Sequence, residues 1–178
     1  MNNSQFYEKV VKVSGTRKVI AKRVSVFICY ALLLLIFIML AVFDYKNFGG
    51  TLIFLGAAVD AAIIALTWKY LYLEYEYSFA CGVMTVSKIY GKRKRKTVFE
   101  AEIKKMVMIA PATDAYIAKS EHFSPGNRVI AVSNESADNI WLAITGDDNE
   151  RRSMVFFEAD ERSLAILKSI NTYSFIKG

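Results

Sequence analysis

The sequence predicts an α+β chain: a two-helix transmembrane hairpin followed by a domain of seven antiparallel strands and a closing C-terminal α-helix. Three observations carry that expectation. Two apolar runs, Val24 to Phe43 and Thr51 to Trp68, stand close together in a chain of 178 residues. At about 1.5 Å per helical residue, each is long enough to cross a hydrocarbon core of about 30 Å. From Leu71 onward the chain is more polar and alternates with the period of strands, until a helix-period stripe ends it. The expected organisation is a basic N-terminal arm over residues 1–23, a helical hairpin over 24–70 with spans 24–43 and 51–68, and one domain over 71–178. That last length suits a single core.

Charge orients the hairpin. Of the net +6, the arm alone holds +5, from Lys9, Lys12, Arg17, Lys18, Lys22 and Arg23 against Glu8. The segment between the spans holds only Lys46, and Lys69 follows the second span. Basic residues flank the cytoplasmic ends of spans, so a multi-pass cell-membrane protein with both termini cytoplasmic is expected. The arm carries Phe6, Tyr7, Val10 and Val11 at helical spacing before Ser14-Gly15-Thr16 breaks the pattern. A short interfacial helix and a disordered basic tail both fit it. Cys29 lies within the first apolar run and Cys81 in the polar part, with no CxxC or Cys/His spacing, which fits a reduced cytosolic setting without disulfide or metal. The first run is longer than a signal-peptide core and lacks a cleavage site after it, which argues against removal.

Within the second span, Asp60 is the intramembrane polar candidate. An ionised carboxylate at mid-span costs roughly 2.5–3.5 kcal/mol on insertion scales, and such residues are functional candidates by default. A hairpin folded about residue 47 sets Asp60 level with Leu34 and roughly one turn from Tyr30, and neither span offers a basic partner. Two readings stand: a proton or ion site or polar glue to another subunit, and a protonated acid donating to a backbone carbonyl. Around it Gly56 and Asp60, Ala57 and Ala61, and Ala58 and Ala62 recur at i, i+4. Such a small-residue face admits a neighbouring helix, either the first span or the same face of a second copy in a homo-oligomer.

The strands are read from alternation. Leu71, Leu73, Tyr75, Tyr77 and Phe79 share one face against Glu74, Glu76 and Ser78 on the other, and Cys81-Gly82 turns the chain into Val83 to Tyr90. Further strands are expected at Lys94 to Phe99, Ile103 to Ile109, Arg128 to Ser133, Asn139 to Thr145 and Arg151 to Glu158, with Gly146-Asp147-Asp148-Asn149 as a turn. Asp160 then caps a helix with Leu164, Ile166, Leu167 and Ile170 on one stripe.

Four strands, a long connection, three strands and a closing helix resemble the pleckstrin-homology (PH) superfold, a bent antiparallel β-barrel or half-barrel plugged by its C-terminal helix. The segment Leu73 to Phe79, the glycine turn, Lys88-Ile89, the basic block Lys92 to Lys96, Ile109-Ala110-Pro111 and Val155-Phe156-Phe157-Glu158 extend the likeness over nearly the whole chain. They resemble a family of small two-pass membrane proteins of low-GC Gram-positive bacteria, a domain of unknown function with a cytoplasmic bacterial PH-like domain. That resemblance implies a fold and a topology at the bacterial inner membrane, and almost no activity. Cys81 and Met84 depart from the acidic or polar hairpin usual in the family.

The basic block is the second candidate site. A first strand of nine residues leaves the membrane for roughly 30 Å and the second returns antiparallel, which brings Lys92, Arg93, Lys94, Arg95 and Lys96 back toward the bilayer. There they suit anionic lipid headgroups at about 1 kcal/mol each; the competing reading is a solvated tip that blunts an edge strand. In eukaryotic PH domains phosphoinositides are held at the first hairpin turn; here that turn, Ala80-Cys81-Gly82, is uncharged. The otherwise acidic domain argues against nucleic acid.

No phosphate loop, nucleophile elbow or metal-ligand spacing appears, so neither catalysis nor a cofactor is expected. His122, the single histidine, lies in a polar stretch and reads as a solvent-exposed loop residue. The long connection from Pro111 to Asn127 is the segment most suited to specificity, although its Tyr116 and Ile117 suit docking on the barrel equally. Two function classes follow. One is a membrane-anchored PH-like binding or scaffolding module with a protein partner; the other is a small accessory subunit of a transporter or ion pathway that uses Asp60.

Overall fold

The computed structural model describes residues 6–13, 17–43, 46, 48–134, 137, 139–146 and 152–177. The chain divides into two compact units: residues 1–14, 73–89 and 93–178 form one, and residues 15–72 with 90–92 the other.

The first unit holds two four-stranded sheets. Strands β1 (Tyr7–Lys12), β2 (Leu73–Ala80), β3 (Val83–Tyr90) and β4 (Lys94–Glu102) lie in the order β1-β2-β3-β4. Strands β5 (Met106–Pro111), β6 (Asn127–Ala131), β7 (Ile140–Thr145) and β8 (Ser153–Glu158) lie in the order β5-β7-β8-β6. The core sits between the sheets. Period-two alternation sends Tyr75, Tyr77, Phe79, Met84, Val86 and Phe99 inward from the first sheet and Ile109, Val129, Ala131, Trp141, Ala143, Val155 and Phe157 from the second. Ile166 and Leu167 of the C-terminal helix complete it. This helix runs from Glu161 to Ile170, and its N-terminus is closed by a capping box: Ser163 N–H donates to Asp160 Oδ1 and Asp160 N–H to Ser163 Oγ, each at 2.9 Å.

Within the N-terminal arm, Tyr7–Lys12 form a strand where the sequence suggested an interfacial helix or a tail. Tyr7–Lys12 pairs antiparallel with β2 in unbroken register, from Tyr7 opposite Phe79 to Lys12 opposite Glu74, and Val11 enters the core. Phe6, Tyr7, Val10 and Val11 fit a helical stripe by spacing, but an uncovered β2 edge is the larger local demand on backbone hydrogen bonds. The pairing continues past the strand, since Val13 N–H donates to Leu73 C=O at 3.0 Å.

Each strand expected from residue 71 onward is present within a few residues, but the sheets do not close into one antiparallel barrel, and among the described residues there are eight strands rather than seven. The strand expected at Ile103 to Ile109 begins at Met106, after a 3-10 turn over Ile103–Lys105, and joins the second sheet. β6 pairs with β8 in parallel. The connection after Pro111 holds a helix, Asp114–Glu121. Its Tyr116 and Ile117, with Phe123, cover the outer cluster of Met108, Ala110, Leu142, Ile144 and Met154. Most of the turn expected at Gly146-Asp147-Asp148-Asn149 lies outside the described residues, as does the break at Ser14-Gly15-Thr16.

The second unit is an antiparallel helical pair. Taking the helices in chain order, α1 spans Arg17–Phe43 and α2 spans Gly49–Thr67, followed by a 3-10 turn over Trp68–Leu71. Val19–Phe43 and Gly49–Leu71 are each long and apolar enough to cross a membrane. Tyr30 and Ala41 of α1 and Gly49, Gly56 and Asp60 of α2 are buried in their mutual seam, while Leu35, Ile36, Met39, Phe54, Leu55 and Leu66 are exposed. A Cβ on Gly56 would stand 2.4 Å from Phe37 Cγ, so this position needs glycine for the helices to approach.

Candidate functional site

Asp60 lies in the seam between α1 and α2, 8% exposed, and its Oδ1 has no hydrogen-bond partner among the described residues. Gly56 against Phe37 and Thr67 against Tyr30 bracket it, which sets the Leu33-Leu34 turn opposite, as the hairpin arithmetic expects. Tyr30 is committed elsewhere. Thr67 Oγ1 donates to Ile63 C=O at 2.6 Å, so the Tyr30 hydroxyl is the donor to Thr67. Of the small-residue stripe, Gly56 and Asp60 face α1, whereas Ala57, Ala58, Ala61 and Ala62 are exposed.

The basic block falls at the β3–β4 turn, and all five side chains are exposed. Gly91 and Lys92 both take left-handed conformations, at φ 56° and 62°. Gly91 has a second reason to be glycine: its Cβ would lie 2.7 Å from Lys69 Cβ. Its N–H donates to Tyr72 C=O at 3.0 Å, and Tyr90 meets Tyr70 edge-on at 5.9 Å. Tyr90, Gly91 and Lys92 are thus packed on Lys69–Tyr72 at the end of the second apolar helix. The five charges then diverge. Arg95 pairs with the buried Glu76 at 3.1 Å. Lys96 lines a hollow of about 380 Å³ together with Lys88 and Arg128.

A third cluster holds β1 to the start of the C-terminal helix. The Tyr7 hydroxyl donates to Asp160 Oδ2, Lys9 Nζ lies 3.9 Å from the same oxygen and donates to Glu158 C=O at 3.2 Å, and the Arg162 guanidinium sits 4.9 Å from the Tyr7 ring centroid. Burial, the bond to Asp160 and its charge push the Tyr7 hydroxyl up to about 12. Burial pushes the Asp160 carboxyl up, but the Tyr7 hydroxyl, Ser163 and Lys9 together hold it below its ordinary value. Nearby, the buried Tyr77 hydroxyl donates to Ala131 C=O and accepts from Glu158 N–H, and burial raises its pKa strongly. The cap at Asp160 was legible in the sequence; its partner Tyr7 was not, because nothing local brings residue 7 to residue 160. Lys88 and Arg128 were missed for the same reason.

His122 is an exposed residue at the C-terminus of the Asp114–Glu121 helix. Cys29 and Cys81 are free. Among the described residues no three His, Cys, Asp or Glu side chains come together as a metal site.

Two four-stranded sheets around one core, a C-terminal helix and an inserted apolar helical pair define a mixed α+β protein. The chain matches the family model described as bacterial PH-like domain (DUF6106) over residues 3–177, and it belongs to that family. The matched residues include the helical pair and β1. No curated protein and no solved structure matches the chain.

The Tyr7–Asp160 contact makes a pH prediction. Asp160 has a depressed folded pKa, so its contribution is complete above the unfolded value of 3.8 and is lost as pH falls through the lower folded value. Tyr7 has a raised folded pKa, so its contribution is complete below 10.0 and is lost as pH rises through about 12. Tyr7→Phe should therefore lower stability by about 1 kcal/mol at neutral pH, with the gap to wild type closing at both ends of the range in equilibrium unfolding. A constant gap across pH 2 to 12 would reject the assignment.

Proposed function

We propose that the chain is a two-pass membrane protein whose PH-like domain serves as a binding or scaffolding module at the cytoplasmic face of a bacterial membrane, without catalysing a reaction. The observation that carries this reading is the insertion of the apolar pair between β1 and β2, neighbours in one sheet. Strands that share hydrogen bonds lie on one side of a membrane, so the pair crosses twice. The exposed apolar side chains on α1 and α2 need an apolar solvent, and the basic flank before α1, against Lys46 alone between the helices, favours the cytoplasmic side.

On this reading Lys92 and Arg93 in the turn and Lys94 at the start of β4 meet anionic headgroups at about 1 kcal/mol each. Arg95 is drawn to Glu76 and Lys96 to the hollow with Lys88 and Arg128. A second reading rests on the unpartnered Asp60 Oδ1: an accessory subunit of a transporter or ion pathway, with Asp60 as the working group.

Cysteine labelling in whole cells tests the topology. In a Cys29→Ser, Cys81→Asn background, Lys46→Cys should react with a membrane-impermeant maleimide in intact cells and Tyr173→Cys, fully exposed in the PH-like unit, only after permeabilisation. Equal labelling of both in intact cells would remove the anchor reading. For the turn, Lys92, Arg93 and Lys94 all changed to Gln should lower the tilt of partition of the full chain toward phosphatidylglycerol over neutral lipid by roughly 100-fold; unchanged lipid preference would sink that part. Asp60→Asn separates the two function classes. The module reading expects unaltered membrane level and partner capture, with no proton-linked phenotype, and a lost ion-coupled flux with normal assembly would establish the accessory-subunit reading instead.

A further inference from the structure

The two sheets end in strands of unequal exposure. β5, one edge of the second sheet, is covered by the C-terminal segment: Ile109 N–H donates to Ser174 C=O and Ile176 N–H to Ile109 C=O, each at 2.8 Å. β6, the other edge, pairs with β8 alone, and β4 is the outer strand of the first sheet. Among the described residues nothing pairs with the outer side of β6.

Two hollows flank this strand, and their chemistry differs. The first, of about 380 Å³, is lined by Lys88, Lys96, Thr97, Val98 and Asn127 to Ile130. Consecutive residues of a strand point to opposite faces, so a hollow lined by three successive residues of β4 and four of β6 exposes strand edges rather than a sheet face. Its charged residues are Lys88, Lys96 and Arg128, with no carboxylate in the lining. Arg128 also bonds Glu121, at the exposed surface. The second hollow, of about 220 Å³, is wholly apolar: Ala112, Ile117, Ile130, Val132, Ile140 and Phe156. The two meet at Ile130, which is 62% exposed although it sits between the core residues Val129 and Ala131.

We infer that β6 is a docking edge for an extended segment of a partner protein in which carboxylate side chains alternate with aliphatic ones. A strand added to β6 takes its affinity from main-chain hydrogen bonds, and its alternate side chains fall on opposite faces. One set lies toward Lys88 and Lys96, which selects acids. The other set lies with Ile130 over the apolar hollow, which selects aliphatic groups, and Arg128 adds a cation at its start. An open edge bearing a large exposed aliphatic is also what a protein otherwise avoids. The inference rests on the binding-module reading and names its surface and the class of its partner.

The test uses the full chain in phosphatidylcholine nanodiscs and a fluorescein-labelled peptide of about eight residues, the usual reach of a strand, that alternates Glu and Val. Anisotropy should show saturable binding, weakened roughly tenfold or more by Lys96→Glu with Arg128→Glu, by N-methylation of alternate peptide bonds, and by regrouping the same residues into a Glu block and a Val block. Equal binding of the N-methylated or block peptide would overturn edge addition whatever the variants do, and so would no binding of the alternating peptide. If the paired variant leaves peptide binding unchanged and instead abolishes capture by phosphatidylglycerol vesicles, these cations belong to the bilayer and the proposal falls. Cysteine labelling does not depend on the peptide, so failure here with labelling as expected removes the docking edge alone, whereas aberrant labelling with sound peptide binding removes the anchor alone.

Discussion

The pairing of β1 with β2 is the contact on which the rest of the chain's organisation depends. The two strands are neighbours in space and lie on either side of the whole helical pair in sequence. Closing so long a connection is entropically unfavourable, and two things offset it here. The helices are packed on each other through a seam of Gly56, Asp60 and Phe37, so the connection is a structured insertion with near ends rather than a loose loop. The strand is then fixed at its far end, where Tyr7 and Lys9 meet Asp160 and Arg162 lies over the Tyr7 ring.

This arrangement gives Asp160 two jobs. It caps the C-terminal helix through Ser163 and accepts from the hydroxyl of the first strand. A cap whose carboxylate is also bound from outside the helix links the first strand to the last element, so local fraying at either is opposed by the other. A fragment beginning at residue 71 would keep the cap and lose the strand, leaving the β2 edge bare and Val11 absent from the core.

What was legible in the sequence was local. Apolar length revealed both helices, and alternation revealed every strand after residue 71, because burial on one face of a pleat is written into neighbouring residues. β1 was hidden because six residues with Val10 and Val11 fit two periods, and only the distant β2 decides between them. The sheet to which β5 belongs, the parallel pairing of β6 and the helix over Asp114–Glu121 were hidden for related reasons: pairing partners are chosen across the chain, and the helix is too short for its Tyr116 and Ile117 to define a stripe. Among the candidate residues, the level of Asp60 along the helical pair was readable from hairpin arithmetic, whereas the commitment of Tyr30 to Thr67 was not. The block from Lys92 to Lys96 read as one uniform patch. In the fold Arg95 meets Glu76 and Lys96 meets a hollow shared with Lys88 and Arg128, since alternation and turn geometry send adjacent cations to different places.

Amide hydrogen exchange of the full chain in nanodiscs, followed on peptides covering Tyr7–Lys12 and Leu73–Ala80, tests the central pairing most directly. As an edge strand, β1 should show about half of its amides protected, and that protection should vanish in the same cooperative step as that of β2 when denaturant is added. Exchange of Tyr7–Lys12 at the rate of an unstructured tail, with Leu73–Ala80 still protected, would contradict the account.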